Sequence, residues 1–210
     1  MRQFRERREI GYLCTRQTIE NMNIINKVAE KYRIALSAES IGELASILLS
    51  KEYEKDELIL GQGRISRHMY IVEKGMIRQF YYKDGRNITE HFSCEGDLAS
   101  CIESLFRREP TRLCVEAIES SVVHLLDYAK FKELSERHAD INALLQVILE
   151  DHLVVSQRKA DSWRFETAHE RYERFCREYP QAARRASIAH IASYLLMSPE
   201  TLSRVRAGKL

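Results

Sequence analysis

The sequence predicts an α+β chain: a jelly-roll-like antiparallel β-roll, then one long helix, then two short helices around a tight turn. Three observations predict it. Short β runs with turn signals recur evenly between Tyr53 and Leu126. Apolar residues then repeat at four-then-three spacing from Ile141 to Val155. Near the end, two apolar helical stripes flank Leu196, Met197 and Ser198.

Residues 1–21 show no clear periodicity and read as an N-terminal extension, either a flexible arm or an upstream addition before Met22. Residues 22–138 read as the β-roll domain. Ile24, Ile25, Val28 and Tyr32 predict a first helix. Ile41, Leu44, Ile47 and Leu48 predict a second, opened by Ser40 with Glu43 as a capping box. The β runs follow: Tyr53 to Leu60, Met69 to Val72, Ile77 to Tyr82, Ile88 to Phe92, Leu113 to Ala117 and Val122 to Leu126. Asp84-Gly85 between two of them is a hairpin signal. Tyr128–His138 predicts a short helix.

Residues 139–165 predict the long helix. Its stripe of Ile141, Leu145, Ile148, His152 and Val155 fits a coiled-coil seam between two copies of the chain. Packing onto the roll explains the same stripe. The seam turns polar at Lys159 and Ser162. Residues 166–210 complete the chain. Thr167–Glu178 is amphipathic and ends at Tyr179-Pro180. Ile188, Ile191, Ala192 and Leu195 line one short helix, and Leu202 and Val205 the next. Ser198 is a natural N-cap, and Pro199 suits the first helical position. Four residues follow Arg206, too few for a β-wing.

The composition is that of a soluble globular protein, with 44% hydrophobic and 30% charged residues. No apolar run reaches the roughly 18 residues of a membrane span. The basic N-terminus lacks an apolar signal core, so a cytoplasmic location is expected. Five cysteines, Cys14, Cys94, Cys101, Cys114 and Cys176, include no C-x-x-C pair, which argues against a disulfide framework or a structural zinc. Cys94, Cys101 and Cys114 fall near one loop and either meet in space or pack as core. No metal-ligand spacing stands out among the seven histidines. The sequence has no G-x-S-x-G, P-loop or H-E-x-x-H, so no catalytic residues are assigned and an enzyme is not expected.

The net charge is only +2, yet it is uneven. Residues 180–210 carry Arg184, Arg185, Arg204, Arg206 and Lys209 against a lone Glu200. A basic end on an acidic body is the footprint of nucleic-acid binding, and a solvated basic tail looks similar. The last helix turns Glu200, Thr201, Ser203, Arg204 and Arg206 outward. Glu200 and Arg204 share a face, and arginine can fork onto guanine O6 and N7.

PETLSR at Pro199–Arg204 resembles the recognition helix of the Crp/Fnr family of bacterial transcription regulators, in its E-x-x-S-R variant. The stretch MYIVEKGMIRQFYYKDGRNITEHFSCEGD resembles that family's cyclic-nucleotide-binding-type β-roll. The resemblance runs from Met22 to Leu210. It implies a homodimer held by the long helix, a roll that senses an effector, and double-stranded DNA as partner, with RNA polymerase a further one. It implies that Glu200, Ser203 and Arg204 face base edges and Thr201 a phosphate. The candidate DNA-binding set is Arg184, Arg185, Ser198, Glu200, Thr201, Ser203, Arg204 and Arg206. One position departs: Leu196 stands where the family usually has a turn glycine, and leucine tolerates positive φ poorly.

The family's ligand sits under a cassette that corresponds here to CIESLFRREPTRLCVEA. Glu103 and Arg112 match its glutamate and arginine. Ile102 and Leu113 replace its glycine and its Ser or Thr, and Pro110 removes a backbone donor. The cradle for a cyclic nucleotide is therefore incomplete. Glu103 and Arg112 are expected either to shape the loop as an ion pair or to meet a different small-molecule effector, and no cofactor is assigned. The rival reading is a ligand-binding sensor module that never touches DNA.

Overall fold

The computed structural model describes residues 2–208, with side chains from residue 17 onward, so the side chain of Cys14 and the whole of Lys209 lie outside the described residues. Among the described residues eight strands form two antiparallel sheets. One has the order β1 (Leu48–Tyr53), β8 (Ser121–Asp127), β3 (His68–Lys74), β6 (Leu98–Ala99). The other runs β2 (Leu58–Leu60), β7 (Cys114–Ala117), β4 (Ile77–Lys83), β5 (Arg86–Ser93). Strand alternation turns Tyr53, Tyr70, Val72, Ile77, Val115 and Val123 into the space between the sheets. The predicted run from Tyr53 to Leu60 is two strands, because residues 54–57 turn from one sheet to the other.

Local chemistry sets the turns. Asp84 and Gly85 have φ of 50° and 72°, and Lys83 pairs with Arg86. Positive φ at both central residues is the type I′ hairpin that matches strand twist. Gly75 has φ of 89°, and a Cβ there would lie 2.6 Å from the Ser120 carbonyl oxygen. Only glycine fits that approach.

Helices cover the outer face of the first sheet. They are α1 (Arg2–Tyr32), α2 (Ala38–Ser46), α4 (Tyr128–Arg137) and the first half of α5 (Ala139–Phe165). Helix α1 crosses residues 21 and 22 without a break. Helix α2 starts three residues earlier than the capping box implied. Ser37 is its N-cap and accepts the Ser40 N–H at 3.1 Å. The Ser40 hydroxyl instead donates to Asp140 at 2.8 Å, which ties α2 to the start of α5.

Along Ile141, Leu145 and Ile148 the stripe on α5 faces the chain's own roll, not outward as a seam between subunits requires. Ile141, Leu145 and Ile148 are 0%, 8% and 1% exposed, packed with Ile25, Met69, Leu126 and Phe131. His152 accepts or donates to Ser100 Oγ at 3.3 Å, and Val155 lines a cleft with Tyr32 and Leu98. Ile141, Leu145 and Ile148, already buried in one chain, have no surface to offer a second, whereas His152 and Val155 are half-buried. Away from the stripe α5 leaves apolar side chains open: Leu153 is 71% exposed, with Val154 and Phe165 also exposed.

The last four helices form one unit: α6 (Ala168–Glu178), α7 (Pro180–Arg185), α8 (Ile188–Tyr194) and α9 (Pro199–Arg206). Thr167 and Glu170 make a full capping box at the start of α6. This unit packs on the outer face of the second sheet. Met76, Phe92 and Cys94 of the roll share a core with Phe175, Ile191, Tyr194 and Leu195. Cys101 lies between the sheets instead, so the three central cysteines do not gather at one point.

Candidate nucleic-acid interface and effector cleft

Helices α8 and α9 form a helix-turn-helix. Ile191, Ala192, Leu195, Leu202 and Val205 are buried beneath them. Ile188 is exposed, because the docked unit leaves the first turn of α8 at its edge. Ser198 caps α9 by accepting the Thr201 N–H at 3.2 Å, a contact worth about 1 kcal/mol. Thr201 is half-buried, and its hydroxyl lies 3.2 Å from Ser198 Oγ. Glu200, Ser203, Arg204 and Arg206 project outward. The Ser198 hydroxyl, its own N–H and the nearby Arg204 hold the Glu200 carboxyl below the usual carboxylate range. The face therefore presents an ionised acceptor beside a guanidinium. Arg206 is drawn towards Tyr172, while Arg204 makes no ion pair among the described residues.

Leu196 adopts φ of 52°, the left-handed conformation the turn demands. That costs a non-glycine residue about 1–2 kcal/mol, and its side chain is half-exposed, so little burial repays it. Leu196→Gly is expected to raise stability by about 0.5–1 kcal/mol, read as a higher midpoint in urea at unchanged slope. A lower midpoint would show that the leucine side chain packs more than its exposure indicates.

Arg184 and Arg185, predicted together, are placed differently. Arg184 is exposed. Arg185 forks onto Glu95 with both N–O distances at 2.9 Å and also bonds Glu119, both carboxylates of the roll. It holds the helix-turn-helix unit to the roll and is not a free phosphate contact in this arrangement. Other contacts cross the same junction. Ser193 Oγ donates to Thr89 Oγ1 at 2.8 Å and accepts the Thr89 N–H at 3.1 Å. The Tyr179 hydroxyl meets His91 Nδ1 at 3.3 Å. Lys159 pairs with Glu90 at 2.8 Å and lies over the rings of Trp163 and Tyr194. Burial, then the Lys159 charge, pushes the His91 imidazole down to about 4, so it stays neutral.

Sequence reasoning missed this junction. By spacing alone Lys159 is the polar end of a seam, and its partner lies 69 residues away. Only the capping pattern around Thr167 hints at a separately formed helical unit.

Glu103 and Arg112 do come together, at 3.5 Å, but on the rim, with side chains 61% and 85% exposed. They edge a cleft of about 580 Å³ lined also by Tyr81, Tyr82, Thr111 and Leu113. Ile102 opens the short helix α3 (Ile102–Arg107). No group of three or more potential metal ligands occurs among the described residues, and none of their helices is long and apolar enough to cross a membrane.

Residues 50–138 match the family described as the cyclic nucleotide-binding domain. No curated protein matches the chain. Among solved structures, FixK2 from Bradyrhizobium japonicum is similar at 24% identity over 77% of this chain and 84% of that one, with a TM-score of 0.67. CLP from Xanthomonas campestris, a c-di-GMP responsive global regulator, is similar at 16% identity over 82% and 91%, with a TM-score of 0.65. The catabolite activator protein of Thermus thermophilus is similar at 22% identity over 83% and 84%, with a TM-score of 0.53.

Proposed function

We propose that this chain, which has the fold of the Crp/Fnr-type regulators, is a cytoplasmic, homodimeric transcription regulator that binds double-stranded DNA by sequence. The observation that carries the reading is α9 itself. It is a capped helix on a buried core, with Glu200, Ser203 and Arg204 turned outward and Arg204 unpaired among the described residues. Its length suits the major groove, and its side chains suit the edges of a G·C pair. Two copies would read half-sites one helical turn apart, and RNA polymerase is the further partner of such a regulator. The exposed face of α5, with Leu153, Val154 and Phe165, is the surface we assign to dimerisation.

The junction suggests how the output is controlled. Glu95 and Glu119 hold Arg185 as DNA phosphates would, so the docked unit competes with DNA for that guanidinium. An effector in the roll changes the output only through different affinities for the docked and released states. The cassette supports a ligand other than cyclic AMP, since its arginine is exposed and its glycine is replaced by Ile102. Millimolar cyclic AMP is expected to leave the melting temperature unchanged, whereas a micromolar site would add about 4 kcal/mol of stability.

The test of the main reading is selection of bound duplexes from random-sequence DNA, with affinities followed across salt concentrations. Enrichment of an inverted repeat of TTGA-like half-sites, with affinity falling steeply as salt rises, is expected. Failure to retain any duplex would leave the sensor module without DNA binding as the better account.

A further inference from the structure

On one side of the roll lie β1, an edge of the first sheet, and β2, an edge of the second. A cleft of about 630 Å³ opens there, distinct from the cassette cleft. Its floor is continuous with the core between the sheets: Tyr53, Tyr70 and Leu125 are buried core residues, and Ile59 and Leu60 pack against them. Its rim carries Lys51, Arg64 and Arg67, with His68 beside them. No carboxylate lines it among the described residues.

The charges on this rim differ from those that hold the fold together. Arg78, Lys159, Arg174 and Arg185 each sit on a carboxylate. Lys51, Arg64 and Arg67 make no ion pair among the described residues. Three like charges around an apolar hollow repel one another and favour an anion between them. The loop offers few backbone donors of its own. A backbone nest for an anion needs free N–H groups. Here the Gly63 N–H is spent on the Thr111 carbonyl, the Arg64 N–H on the Gly61 carbonyl and the Ser66 N–H on Ser104 Oγ. Side-chain guanidiniums remain, whose fork matches a carboxylate or a phosphate alike, and the apolar floor beneath them suits a charged head group on an acyl chain. Volumes of this size accept small organic ligands.

We infer that this cleft binds an acyl carboxylate, its chain laid on Tyr53, Ile59, Leu60 and Tyr70 and its head group held by Arg64, Arg67 and Lys51. The inference stands whether or not the protein binds DNA, because its readout is the ligand alone. The experiment is calorimetric titration of the full chain with decanoate, below its micelle concentration, beside decanol and acetate. One decanoate per chain is expected, with decanol and acetate each weaker by about tenfold or more, since one lacks the charge and the other the apolar body. The double variant Arg64→Ala/Arg67→Ala, at exposed positions that leave the melt unchanged, is expected to weaken decanoate by about tenfold or more. Absence of decanoate binding, equal binding of either control, or wild-type affinity in the double variant overturns the inference. So does loss of binding in Arg112→Ala with the double variant unaffected, which would place the ligand in the cassette.

Discussion

Ile148→Glu is expected to unfold the chain and not merely to separate subunits. Ile148 is 1% exposed in the core shared by α1, α4, α5 and the first sheet. A carboxylate there finds no cation among the neighbouring apolar side chains. Burying such a group costs more than about 4 kcal/mol, against a typical total stability of about 5–15 kcal/mol. Leu153→Glu is expected to do the opposite. At 71% exposure it changes the stability of one chain by no more than about 0.5 kcal/mol. Across a two-fold axis it sets like charges against each other and dissociates the dimer. Thermal melting and sedimentation on both variants decide the matter. A folded monomer from Ile148→Glu would restore the seam along Ile141, Leu145 and Ile148. A dimeric Leu153→Glu would remove the exposed face of α5 as the interface.

Arg204→Ala is expected to cost about 1–3 kcal/mol per half-site, and so about 2–6 kcal/mol for a dimer on a palindrome. The loss should fall on one base pair, where preference for guanine relaxes. Glu200, held ionised by Ser198 and Arg204, is expected to accept from the cytosine amino group opposite or next to it. Arg184→Ala should weaken all sequences alike and flatten the salt slope by about one unit, as a phosphate contact does. Arg185→Ala should behave differently from its neighbour, because its guanidinium already rests on Glu95 and Glu119. Its loss frees the helix-turn-helix unit as well as removing a charge. Site selection on each variant at several salt concentrations separates the three. An Arg204→Ala protein with wild-type base preference would mean that α9 does not read the DNA.

The features the sequence determined are those whose causes lie within a few residues of one another. Asp84-Gly85 set a hairpin because both residues accept positive φ. Ser198-Pro199 started α9 because the serine satisfies an N–H three residues on and the proline has none to satisfy. Leu196 already marked the turn that would carry strain, and its φ of 52° shows why. The strands were legible from alternation and the outward face of α9 from helical spacing. Tertiary structure decided what each buried face meets. The stripe through Ile148 states that one side of α5 leaves water, and its own roll satisfies that as well as a second chain would. The partners of Arg185 lie 90 and 66 residues away, and spacing carries no record of them. Burial rewards any apolar surface without regard to its origin. Pattern therefore tells which faces are covered, and only the packed chain tells what covers them.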